Sequence, residues 1–284
     1  MDILLSLIPA IGWGVQPIIL RRIGSSSTQD VFGFGLGAII VGILVQIFFS
    51  PVAINLPTFL LSFLAGVAWI YGQAGQVRAY DMISVSRTMP ISTGLQLIGT
   101  SLIGVLVFGD WASLSSKIIG ALAIIVLIFG AYLTTVNPEV KDTSNDLARG
   151  VRTLAITSIG YWIYSAIPKM VSADAISIFL PEMLGIFAGA MIYVYLSDKE
   201  VFRQRKSWIS SFVGMIFGVA SLTYIMSAQL NGVTLAYILS QLNVVVATLG
   251  AIFIGKEAKT PRQLQLTYLG LVLIVGASIV TVFL

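Results

Sequence analysis

From Ile3 to Leu284 the chain is a succession of apolar stretches, each closed by a short polar break. A helix of roughly 20 apolar residues crosses the hydrocarbon of a bilayer. The pattern predicts ten such helices, at 2–20, 31–50, 57–77, 83–108, 115–136, 150–168, 175–197, 207–228, 232–254 and 264–284. The breaks carry turn chemistry: Gly24 before a serine run, Ser50-Pro51, Asn137-Pro138 and Thr260-Pro261.

The ten helices divide into two similar sets. Val126-Leu127-Ile128-Phe129-Gly130-Ala131 returns, with one change, as Val272-Leu273-Ile274-Val275-Gly276-Ala277, an offset of 146. Ile8, Ile11 and Gly12 return as Ile156, Ile159 and Gly160 at an offset of 148, with Trp13 against Tyr161. Gly66-Val67-Ala68 is echoed by Gly218-Val219-Ala220. Each echo alone is weak in apolar sequence; their shared order points to duplication. The expected organisation is a first five-helix repeat over 1–136, a polar cytoplasmic connector over 137–149 and a second repeat over 150–284. An odd number of spans per repeat turns the second upside down relative to the first, an architecture common in secondary transporters.

Composition sharpens the class. Hydrophobic residues make up 57% and charged residues only 10%, which excludes an ordinary soluble domain. The fold class is therefore all-α integral membrane. The N-terminus enters an apolar run without a basic n-region or small-residue cleavage site, and so reads as the first span. The chain has no Cys and no His. Disulfides and thiolate metal sites are excluded, no metal or cofactor is expected, and any coupled proton must ride on a carboxylate.

Charge supplies the orientation. Fourteen of the sixteen Lys and Arg lie in or beside odd-numbered loops; Lys117 and Lys169 are the exceptions. The positive-inside rule puts the odd loops in the cytoplasm and both termini outside a multi-pass protein of the cell membrane. These basic clusters set orientation and meet lipid headgroups; nothing resembles a nucleic-acid groove.

Polar side chains inside spans are costly and face the bundle interior. Here they recur at helical spacing: Trp13 and Gln16; Trp69, Gln73 and Gln76; Ser92, Thr93 and Gln96; Tyr161 and Tyr164; Tyr224; Ser240, Gln241 and Asn243. Any one of them fits helix packing or interfacial anchoring as well as solute contact. Together they suit a neutral, hydroxyl-rich solute, because amides donate and accept at once and aromatic rings cover the C–H face of a sugar. The candidate contacts are Trp13, Gln73, Thr93, Gln96, Tyr161, Glu182, Tyr224, Gln241 and Asn243. Glu182, directly after Pro181, is the carboxylate set clearly within a span and the candidate for proton coupling. Pro90 and Gly94 predict a break in the fourth helix; the ninth has no proline and predicts none. Small residues at Gly33, Gly35, Gly37, Ala38 and Gly42, and at Gly185 and Gly189, predict close helix packing within the molecule. An enzyme lacks support: no H-E-x-x-H, no Ser–His pair and no paired intramembrane aspartates occur.

These residues resemble the glucose/ribose porter family of the drug/metabolite transporter superfamily. The likeness covers essentially the whole chain. It is densest in Gly72-Gln73, Ser86-Arg87-Thr88-Met89-Pro90, Thr93-Gly94-Leu95-Gln96-Leu97 and Gly109-Asp110-Trp111, and again in Leu239-Ser240-Gln241. Ser86-Arg87, Gly160-Tyr161-Trp162 and Phe179-Leu180-Pro181 are similar to the ribose branch. The resemblance implies two inverted five-helix repeats and import of a monosaccharide, ribose before glucose, and favours proton symport. Family members often carry Gln at the position of Glu182, which makes a carboxylate there a feature of this chain. An uncoupled sugar facilitator and an exporter of amino acids or other small solutes are the alternatives. No particular oligomeric state is required.

Overall fold

In the computed structural model the described residues are 3–83, 85–135, 144–254 and 260–284. They form eleven α-helices and no strand. These are α1 (Ile3–Ile23), α2 (Ser27–Phe49), α3 (Leu56–Ile83), α4 (Val85–Leu106), α5 (Leu114–Thr135), α6 (Ser144–Met170), α7 (Ala175–Ser197), α8 (Arg205–Asn231), α9 (Val233–Ser240), α10 (Asn243–Phe253) and α11 (Pro261–Val282). A 3-10 turn, Lys199–Arg203, joins α7 to α8. Among the described residues, seven segments are long and apolar enough to cross a membrane, with α9 and the start of α10 counted together over Val233–Gly250. α1 and α4 hold shorter apolar runs, Leu4–Leu20 and Ile91–Leu106.

Every predicted span contains helix, with one correction. The fourth helix is continuous through Gly94. The irregularity lies in the ninth instead, between α9 and α10. There the N–H groups of Leu242 and Val244 donate to Leu239 and Gln241, three residues back. This tightened turn keeps the backbone bonded without a proline. The connector predicted over 137–149 is described only in part. Residues 144–149 belong to α6, and 137–143 lie outside the described residues.

Local chemistry fixes several helix starts. Ser26 and Gln29 form a reciprocal capping box on α2, as do Thr260 and Gln263 on α11, where Pro261 sits in the first turn. Asp174 caps α7 by accepting from the N–H groups of Ile176 and Ser177.

α2 packs on α7 and α8, and α3 on α6 and α7. α1 packs on α8 and α10, α4 on α6, and α5 on α11. Glycine permits the closest crossings. A Cβ on Gly66 would lie 2.0 Å from the carbonyl oxygen of Glu182, and one on Gly185 would lie 2.0 Å from that of Phe63. On the other side, a Cβ on Gly37 would lie 2.3 Å from the Gly214 backbone, and one on Gly214 would lie 2.0 Å from the Gly33 carbonyl. The small-residue faces therefore serve contacts within the chain, as expected.

The polarity is that of a membrane-embedded bundle. Large apolar side chains such as Phe48, Leu102, Phe129 and Val272 are exposed on its periphery. Glu182, Gln76, Gln241 and a dozen or more Ser and Thr side chains are buried within it.

Candidate functional site

Several interior polar groups converge on one cluster. α3 carries Gln73 and Gln76 three residues apart, so both face the same neighbours. The Tyr161 hydroxyl of α6 donates to Gln73 Oε1 at 2.8 Å and approaches Gln76 Oε1 at 3.1 Å. Gln76 Oε1 also accepts from Ser92 Oγ of α4 at 2.8 Å. Gln96, one turn further along α4, donates through Nε2 to Ser92 Oγ at 2.8 Å. The Tyr237 hydroxyl of α9 donates to Gln96 Oε1. A continuous chain of amides and hydroxyls thus links α3, α6, α4 and α9.

An aromatic wall adjoins it. Trp69 meets Tyr161 edge-on at 6.4 Å and Phe217 at 4.4 Å. Trp13 of α1 lies 5.6 Å from Tyr224 of α8 and 6.5 Å from Phe217. Tyr224 stacks on Tyr164 at 6.2 Å and meets Tyr237 edge-on at 6.1 Å. Tyr237 therefore belongs to both the polar chain and the wall. The indole Nε1 of Trp13 is buried with no hydrogen-bond partner. A buried donor of this kind is costly unless something accepts from it.

Glu182 of α7 sits behind the wall, 1% exposed, with neither carboxylate oxygen bonded. Its backbone lies where α7 crosses α3, the carbonyl oxygen 2.0 Å from where a Cβ on Gly66 would stand. A charged carboxylate left unpaired at such depth costs several kcal/mol or more, so it is neutral or it has a mobile partner.

Of the residues predicted from sequence, Gln73, Gln96, Tyr161, Trp13 and Tyr224 fall within the bonded chain and its wall. Thr93 is buried beside them on α4. Gln241 is buried at the tightened turn, where its Nε2 lies 3.5 Å from Ser240 Oγ. Asn243 opens α10 on the α1 side; its carbonyl oxygen would lie 2.8 Å from a Cβ on Gly14. Sequence reading left Tyr237 out. It stands four residues before Gln241, one helical turn, and that spacing was its signal. Gln76 and Ser92 stood in the polar inventory, but their junction role needed the fold.

The described residues hold no group of three or more acidic side chains suited to a metal. The site chemistry is hydrogen bonding and ring contact, the means of holding a neutral polar solute.

A family model described as Sugar transport protein matches residues 4–284. A protein of Lactobacillus helveticus named for sugar uptake is 45% identical over 283 residues, 98% of this chain and 100% of that one. A Staphylococcus epidermidis protein named for ribose uptake is 37% identical over 289 residues, 99% of this chain and 98% of its own. A solved crystal structure with 16% sequence identity superposes with a TM-score of 0.74, covering 98% of this chain and 94% of that one. That likeness establishes a shared fold.

Proposed function

The chain belongs to the sugar transport protein family, and we propose that it imports a monosaccharide, ribose first and glucose second, by alternating access. Membership in this family sets it among transporters rather than enzymes. The observation that carries the reading is the run Gln73–Tyr161–Gln76–Ser92–Gln96–Tyr237 beside an aromatic wall. Its amides and hydroxyls now bond mainly to each other. Sugar hydroxyls can replace those partners one for one, since each is donor and acceptor at once. The relatives named for sugar and ribose uptake support the same solute class.

Two inverted five-helix repeats support alternating access. Exchanging α1–α5 for α6–α11 leaves the main packing pairs unchanged: α3 on α6 answers α1 on α8, and α2 on α8 answers α3 on α7. The crossing glycines agree, for Gly37 and Gly185, and Gly66 and Gly214, stand 148 residues apart. By packing, Gly66 pairs with Gly214 rather than Gly218, one helical turn from the match read in sequence. The solute site lies where the repeats meet, and each can rock against the other around it.

The unpaired carboxyl of Glu182 supports proton symport. A group that is neutral when buried and charged when wetted can carry one proton per cycle. Radiolabelled ribose uptake into proteoliposomes, with and without an inward proton gradient and with glucose as competitor, tests both parts. Accumulation abolished by an uncoupler is expected. Equilibration without accumulation would leave a facilitator. No ribose uptake and no glucose effect would sink the sugar reading.

A further inference from the structure

α9 begins without a cap of its own. Its N-cap is Gly232, which has no side chain to accept from the first-turn N–H groups. A carboxylate from a distant part of the chain does so instead. Asp110, just beyond α4, accepts from the Thr234 N–H through Oδ2 at 3.0 Å. Its other oxygen lies 3.8 Å from Lys169 Nζ at the end of α6. One carboxylate thus ties the ends of α4, α6 and α9 together.

The surrounding backbone is shaped to bring Asp110 there. Gly109 and Trp111 on either side have positive φ, 74° and 59°. The second value is uncommon for a residue with a side chain and marks a constrained turn. The Trp111 ring rests on α5 where Gly120 leaves room; a Cβ there would lie 2.3 Å from it. The Asp110 N–H donates back to the Gly104 carbonyl at 2.9 Å. Gly232, at φ 91°, faces the carboxylate so closely that a Cβ would lie 3.0 Å from Oδ1. Cavities of about 450 Å³ and 370 Å³ flank the contact, the first lined by Asp110 and Thr234, the second by Lys169 and Gln229. Gln229 also bonds the carbonyls of Pro168 and Ala173 at 2.9 Å each.

We propose that Asp110 is a latch. Its bonds to Thr234 and Lys169 hold the extracellular ends of the two repeats together, and their release opens the outer path to the sugar site. Removing a cap and an ion pair that exist in one state only shifts the population toward the other state. The inference rests on the alternating-access reading above, but its test needs no sugar.

The chain contains no Cys, so single cysteines report accessibility cleanly. Ala236, two residues beyond Thr234, is 1% exposed; Ala79, at the opposite end of the bundle beside Ile83 and Leu154, is 0% exposed. Ala236→Cys and Ala79→Cys would each be labelled with a soluble maleimide in detergent-purified protein, where both faces are reachable. With Asp110→Ala, labelling of Ala236→Cys should rise about 5-fold or more, the factor that loss of a helix cap carries. Labelling of Ala79→Cys should fall or stay level, because opening one side closes the other. Asp110→Asn keeps an acceptor for Thr234 and should give a smaller rise, as should Lys169→Met; these variants serve if Asp110→Ala does not fold. An unchanged rate at Ala236→Cys overturns the latch. So does a parallel rise at both positions, the mark of general loosening. Failure of ribose uptake would strike the sugar reading alone.

Discussion

At the residue scale, two side chains concentrate the consequences. Gln76 Oε1 is the meeting point of Ser92, Tyr161 and, at 3.5 Å, Gln96. Its removal takes the acceptor from the buried Ser92 hydroxyl, a loss worth roughly 1–3 kcal/mol, and cuts the link between α3 and α4. Gln76→Ala is therefore expected to lower kcat/KM for uptake about 10-fold or more, with protein still reaching the membrane; uptake at the wild-type rate would remove Gln76 from the site. Glu182 makes a different prediction. Glu182→Gln keeps the shape and the neutral polarity but cannot release a proton. It should abolish gradient-driven accumulation while leaving counterflow of preloaded sugar intact. Loss of counterflow as well would assign Glu182 to sugar binding rather than coupling. Both residues were visible in the sequence as polar groups in apolar helices. The partners of Gln76 were not, because Gln76 and Tyr161 are 85 residues apart and meet only through the packing of α3 on α6.

At the element scale, the helices are set by local rules and their crossings by missing side chains. The caps at Ser26, Asp174 and Thr260 were readable as residue types, since each is a short acceptor before an apolar run. The crossing of α3 and α7 depends on Gly66, where a Cβ would meet backbone that cannot yield. Gly66→Ala should destabilise the protein by about 1–3 kcal/mol, seen as a lowered Tm in detergent. Gly94→Ala is the control: its nearest neighbour would be the Ile128 side chain at 3.4 Å, an ordinary contact, and Tm should hold. The fourth and ninth helices show where local reading stops. A Pro and a Gly predicted a break in α4, yet the helix continues. The ninth has no Pro, and its Gly250 lies two turns beyond, yet it tightens at Gln241–Leu242, where i to i+3 bonding replaces the α pattern.

At the scale of the whole molecule, the bundle is apolar outside and keeps buried polar groups among its apolar core, and its basic loops predict which way up it sits. Single cysteines test the orientation. Ala53→Cys, between α2 and α3, should react with an impermeant reagent on intact cells, and Glu200→Cys, between α7 and α8, only after permeabilisation; the reverse result would invert the topology. The sequence by itself determined the class and the approximate limits of the helices. Those follow from the cost of polar groups in hydrocarbon, which is paid residue by residue and leaves its mark in the linear pattern. The tertiary structure alone decided which polar groups meet. It joined Gln96 to Tyr237 and Asp110 to Thr234, and it left Glu182 and the Trp13 indole without partners. Hydrogen bonds act over about 3 Å, and only the crossing of helices far apart in the chain brings atoms within that distance.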